Sequence, residues 1–270
     1  MTLEDIRREY FENRLGRAVG GRFAKERKEL IDLLGYPPDL ANIPPEFWNN
    51  GGAAMASKVQ PILQDIAVES GIALQEAVVG SIVIDWTLTN QAAADWASTY
   101  TYNLVSELKN TSVKQMAAAQ KQLMGMLQDT VPEFFTEALT RGELEKLLVE
   151  RGLPDLEYYW KDKLIKIYAP QRAEMIAVTE VTRANYEGER LAVDEIRRSA
   201  NIRMWPTWLT NRDDLVCAIC SPLHGIPADR ESGGVFYWTH PETGIEYAGP
   251  PAHVRCRCDA AYGFAEDMGK

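Results

Sequence analysis

Five side chains in the last quarter of this sequence are suited to hold a metal ion. Cys217 and Cys220 form a Cys-x-x-Cys pair, and His253, Cys256 and Cys258 lie in the run Pro250-Pro251-Ala252-His253-Val254-Arg255-Cys256-Arg257-Cys258. All four cysteines of the chain fall in these two clusters. In a Cys-x-x-Cys turn both sulfurs face one side and nearby backbone N–H groups favour the thiolate, which is the ligating form. His253 and Cys256 repeat that three-residue spacing. Two such knuckles would supply three thiolates and one imidazole to a tetrahedral ion, with structural Zn2+ as the expected occupant. Cys258 is one donor too many. In extended backbone it shares a face with Cys256, so an all-thiolate set with His253 outside it is the alternative. Two disulfides, or unpaired thiols, are the readings without a metal.

No catalytic set is expected. A catalytic ion needs an open position and a nearby base, and Asp213, Asp214, Glu242 and Glu246 read as solvated loop carboxylates. His224 stands in Leu223-His224-Gly225 and His240 precedes Pro241, both turn contexts. A metal-dependent nuclease or toxin-like enzyme built on these histidines is the alternative function. Glu180 lies at the edge of a stripe of small residues, Ala173, Ala177, Val181, Ala184 and Gly188, and Arg183 one turn on is its expected ion-pair partner. Trp205-Pro206-Thr207-Trp208 reads as a miniature core rather than an aromatic binding platform.

The elements that must position these residues form a mainly α (α+β overall) chain. Residues 1–35 read as a charged helical arm with Ile6, Tyr10, Leu15, Leu30, Ile31 and Leu34 as its apolar points, broken near Gly16, Gly20 and Gly21. Residues 36–52 hold two Pro-Pro steps and Asn49-Asn50-Gly51-Gly52, and read as a linker. Residues 53–200 are a multi-helix body. It includes a helix from Gln91 to Leu108 with Ala92, Trp96, Tyr100 and Leu104 on one face, a break and N-cap at Asn110-Thr111-Ser112, and a helix from Ser112 to Leu127. Gln171 to Ala200 reads as the longest uninterrupted helix. Residues 201–270 form a turn-rich module with short strands such as Val235-Phe236-Tyr237-Trp238, too poor in apolar area to hold without a staple.

With 270 residues, 46% hydrophobic and 25% charged, the chain is long enough to bury a core and is not disordered as a whole. A net charge of -10 would repel a polyanion, so DNA contact would have to come from a local patch, for which Arg7 to Lys28 is the candidate. Glu9, Glu12, Glu26 and Glu29 interrupt that patch and favour a solvated helix face instead. No apolar run approaches the roughly 18 residues of a membrane span, so no membrane partner is expected and synthesis in a reducing cytoplasm is the default.

Three stretches together resemble the phage head morphogenesis family, minor head proteins such as the F protein of phage Mu and the portal-associated protein of phage SPP1. The first is Arg172-Ala173-Glu174-Met175-Ile176-Ala177-Val178-Thr179-Glu180 with Arg183-Ala184-Asn185 and Gly188; the second is Trp208 to Asp213 with Val216-Cys217, Cys220, Leu223 and Gly225; the third is the run from Pro250 to Cys258. The resemblance covers about residues 171–258, and Val178 stands where the family often has Arg. It implies a virion protein and not an enzyme, bound to the portal inside the procapsid and aiding head assembly. Scaffold or major capsid protein are further implied partners, and DNA packaging or ejection a further task. The basic arm is the expected portal or DNA contact.

Overall fold

The structure is a computed structural model that describes residues 3–78, 86–211 and 216–264. Seven α-helices and five short strands make up the described chain. The helices are α1 (Leu3–Leu34), α2 (Pro45–Val78), α3 (Trp86–Thr130), α4 (Glu133–Thr136), α5 (Arg141–Glu150), α6 (Leu156–Ile167) and α7 (Pro170–Ala200). The strands β1 (Met204–Leu209), β2 (Arg230–Ser232), β3 (Val235–Thr239), β4 (Glu246–Tyr247) and β5 (Asp259–Phe264) all follow α7. A helical body with a small strand-bearing C-terminal region is therefore the architecture. No described helix is long and apolar enough to cross a membrane.

The helices are longer than their residues suggest. α1 runs unbroken through Gly16, Gly20 and Gly21, because Phe11, Leu15, Val19, Phe23, Leu30 and Leu34 form a fully buried stripe that outweighs the roughly 1 kcal/mol cost of each helical glycine. Ile6 and Tyr10, expected as apolar points, are exposed. The expected linker ends early: Asn49-Asn50-Gly51-Gly52 lies inside α2. Gly51 is what close packing requires there, since a Cβ would come within 2.8 Å of the Glu26 carboxylate and crowd the Arg22 guanidinium. The expected break at residues 110–112 is also absent. α3 is one helix of 45 residues, longer than the 31-residue α7. Ser112 is buried and back-bonds to the Leu108 carbonyl at 3.0 Å instead of capping a new helix. The inner face of its first half is Ala93, Ala97, Thr101 and Leu104: Leu104 as expected, the other three one residue on from Ala92, Trp96 and Tyr100.

The chain divides into two compact units, each assembled from separated segments. One contains Met1–Gly16, Val59–Thr101 and Glu174–Lys270, so the C-terminal region belongs with most of α7. Within it, Gly188 of α7 meets α2 so closely that a Cβ would overlap the Ala67 carbonyl. β1 pairs antiparallel with β5 from Met204↔Phe264 to Leu209↔Asp259, while β2, β3 and β4 form a separate antiparallel sheet. Gly233 and Gly234, both at positive φ, close the two-residue turn from β2 to β3. Val235–Trp238 is a strand, as expected.

The C-terminal region has a real core. Met204, Trp208, Leu223, Phe236 and Trp238 are fully buried and continuous with Tyr186, Val193 and Ile196 of α7. Trp208 and Trp238 meet edge to face at 5.4 Å. The expectation that a metal staple stands in for a large core is thus corrected, and Trp208 is a core residue rather than a platform.

The second unit comprises Arg17–Lys58 and Tyr102–Ala173. In it, α5 begins with a capping box between Thr140 and Glu143. Asp155 caps α6 by accepting from the Tyr158 N–H at 3.0 Å.

Candidate metal centre

Each cysteine cluster is a tight turn. The Cys220 N–H donates to the Cys217 carbonyl at 3.1 Å, and the Cys256 N–H donates to the His253 carbonyl at 3.1 Å. Two knuckles of like backbone thus carry the donors, as the repeated spacing requires.

The knuckles converge. The donor atoms of Cys217, Cys220 and His253 lie within 4.8 Å of one another, and so do those of Cys220, Cys256 and Cys258, with Cys220 common to both groups. Cys220, Cys256 and Cys258 are buried, Cys217 and His253 half-buried. All four thiols are free, so the alternative of two disulfides is not what forms. The five donors line a cavity of about 380 Å³ together with Val178, Val216, Arg255 and Arg257.

The donors form two triads that share Cys220, and the spacing between the Cys220 and Cys256 sulfurs, though not the closer His253 contacts, matches a tetrahedral ion. With metal–sulfur bonds of about 2.3 Å and metal–nitrogen bonds of about 2.0 Å, tetrahedral edges are about 3.8 Å between sulfurs and about 3.5 Å from sulfur to nitrogen. The Cys220 and Cys256 sulfurs are 3.7 Å apart. His253 Nε2 is 3.0 Å from the Cys217 sulfur and 3.1 Å from the Cys220 sulfur. Its Nδ1 is 2.7 Å from the Val254 carbonyl, which only a protonated nitrogen can satisfy. Nδ1 therefore carries a proton and Nε2 is the nitrogen turned to the sulfurs, the orientation of a metal-ligating imidazole.

The thiols cannot all ionise unaided. Cys256 is held far below the usual thiol range, first by the hydrogen bonds from Cys220 and Cys258, then by backbone N–H groups. Cys220 is pushed up because its S–H is the donor to Cys256 and burial penalises a second thiolate. For Cys258, the bond with Cys220 favours ionisation, but the bond to Cys256 and burial outweigh it and push it up to about 12. A bound cation would offset this repulsion and let further donors ionise. The buried Trp208 indole N–H has no hydrogen-bond partner among the described residues, and its neighbourhood favours the Cys258 thiolate. The Cys/His cluster can bind a metal ion.

The other candidate residues have other tasks. His240 is buried; its Nε2–H donates to the Ile219 carbonyl at 3.0 Å, and its Nδ1 accepts from the Glu242 and Thr243 N–H groups at 3.2 Å each. It braces the first knuckle from behind. His224 Nδ1 accepts from the Thr210 N–H at 3.1 Å. Glu246 pairs with Arg230, and the Glu242 side chain is exposed. Asp213 and Asp214 lie outside the described residues. Glu180 is paired as expected, with Arg183 at 3.5 Å, and also accepts from the Tyr100 hydroxyl at 2.5 Å, a partner the sequence did not suggest.

The basic arm is engaged within its own chain. Arg7 pairs with Glu69, Arg14 with Asp65, Arg22 with Glu26 and Lys25 with Glu29. Arg8 donates to the Arg257 carbonyl at 2.9 Å, and Glu12 accepts two bonds from the Arg257 guanidinium at 3.0 and 2.7 Å. Thr179 and Thr182 of α7 also reach the second knuckle. None of these contacts to the ligand loop was foreseen; three-residue spacing of two threonines in the helix before a cysteine cluster is the only signal the sequence offers. Compared with protein-family models, with curated proteins and with solved structures, the chain matches none of them.

Proposed function

We propose that this chain is a minor head protein of a tailed phage, a structural component bound at the portal inside the procapsid that aids head assembly. The observation that carries the reading is the meeting of resembling stretches. The helix from Thr179 to Thr182 and the loop ending at Cys258 lie in separate parts of the sequence, yet hydrogen-bond to each other beside the donor cluster. In this reading the ion is zinc, held by Cys217, Cys220, His253 and Cys256, whose two knuckles share one backbone form, with Cys258 as a neighbouring thiol facing Trp208. The ion would supply a cross-link between loops and no reaction step. Arg7, Arg8, Arg14, Arg22 and Lys25 have intrachain partners, which disfavours the arm as a DNA contact.

Three measurements test this. Protein purified without chelator should carry about one zinc per chain by elemental analysis, and should co-sediment with the portal protein encoded by the same genome. Failure to bind that portal under assembly conditions would sink the reading. So would plasmid nicking with Mg2+ or Mn2+ that His240→Ala abolishes while the fold survives.

A further inference from the structure

Thr179 and Thr182 stand about one turn apart on α7, and both hydroxyls act on the backbone of the second knuckle. Thr182 Oγ1 donates to the Cys256 carbonyl at 2.7 Å, in a buried contact across 74 residues of sequence. Thr179 Oγ1 accepts from the Arg255 N–H at 2.9 Å and donates to the Met175 carbonyl at 2.7 Å, so its orientation is set from both sides. Between them they hold the peptide groups on either side of the Arg255–Cys256 pair, the Arg255 N–H before it and the Cys256 carbonyl after it. Arg255 has a φ of 63°, in the left-handed region that a residue with a Cβ adopts only under constraint. That turn of the backbone delivers the Cys256 sulfur to within 3.7 Å of Cys220.

We infer that Thr179 and Thr182 are positioning residues of the metal centre: their hydroxyls pin residues 255 and 256 to α7 and so place the Cys256 sulfur in the ligand cluster. The inference rests on the reading of that cluster as a metal site. α1 holds the next residue from another side, through Arg8 to the Arg257 carbonyl and Glu12 to its guanidinium. Those contacts are exposed, and solvent-screened pairs contribute little. The buried Thr182 bond is the one whose loss should be felt at the metal.

The test is Co2+ titration of the full chain after metal removal, reading the sulfur-to-cobalt absorption band and the affinity by chelator competition. Outer partners of metal ligands typically account for roughly 10–100-fold in affinity. Thr182→Val and Thr179→Val should each weaken Co2+ binding by about that factor, and Thr182→Ser, which keeps the hydroxyl, should restore it. Thr101→Val is the control: Thr101 is buried in the same unit, yet its hydroxyl has no partner among the described residues. It should leave binding unchanged. Melting curves identify folded variants; if Thr182→Val does not fold, Thr179→Val and the serine variant carry the comparison. Wild-type affinity in a folded Thr182→Val or Thr179→Val protein would overturn the inference while leaving the metal reading standing. A wild-type chain that takes up no Co2+ would overturn the metal reading itself, and the inference with it.

Discussion

Cys220 belongs to both donor groups, which makes Cys220→Ser the most telling single substitution. Structural zinc sites contribute about 10–16 kcal/mol of apparent binding free energy, so one of four donors carries about 2.5–4 kcal/mol, or roughly 10²–10³-fold in affinity. At a free metal concentration about 1,000 times the wild-type Kd, ligation stabilises the wild type by about 4 kcal/mol. The variant at the same concentration would retain only about 0.4–1.4 kcal/mol, a net loss of about 3 kcal/mol. Trp208, Phe236 and Trp238 are fully buried against α7, so the knuckles should loosen before the core beneath them does. Chelator competition gives the affinity, urea denaturation gives the stability, and hydrogen exchange should rise in residues 216–223 and 250–258 but not in α5 or α6. Wild-type affinity and exchange in Cys220→Ser would refute the convergence of the two knuckles on one ion.

Three further outcomes are expected. Gly188→Ala should lower stability by more than about 3 kcal/mol in thermal melts, because a Cβ there meets the backbone of α2 rather than a movable side chain; a melting temperature within a degree of wild type would contradict the close approach. His240→Ala should cost about 1–3 kcal/mol in urea denaturation, since it leaves the Ile219 carbonyl without its donor; an unchanged midpoint would show that the brace is dispensable. Glu133 accepts from both nitrogens of Arg151 at 2.6 and 2.8 Å, which holds its carboxyl down to about 2. The sign follows: this pair's stabilisation is complete above the ordinary glutamate value and is lost as pH falls through about 2. An NMR titration of Glu133 placing its midpoint near 4.5 would remove that account.

The metal cluster was legible because cysteine and histidine are rare, their chemistry is narrow, and knuckle spacing is local. Helix type was legible for the same local reason, from periodicity. Helix length was not. Gly51 and Ser112 read as breakers by propensity, but Gly51 is where α1 side chains press on α2, and Ser112 returns its hydroxyl to its own helix. Such outcomes depend on neighbours distant in sequence. Thr179 and Thr182 were illegible as metal-site residues because a mid-helix threonine carries no distinctive pattern; their meaning appears only once residues 255 and 256 arrive beside them. The C-terminal core was underestimated because it is completed by Tyr186, Val193 and Ile196 of α7, on the far side of a composition change at residue 200.

That shared core decides where the chain may be cut. A recombinant fragment starting at residue 201 would carry Trp208, Phe236 and Trp238 but strip away Tyr186, Val193 and Ile196, the surface on which they rest. It would emerge sticky and prone to aggregate whether or not zinc is supplied. A fragment opening before α7 would keep that surface and both threonines, but would still lack Met1–Gly16 and Val59–Thr101, the other parts of the same compact unit.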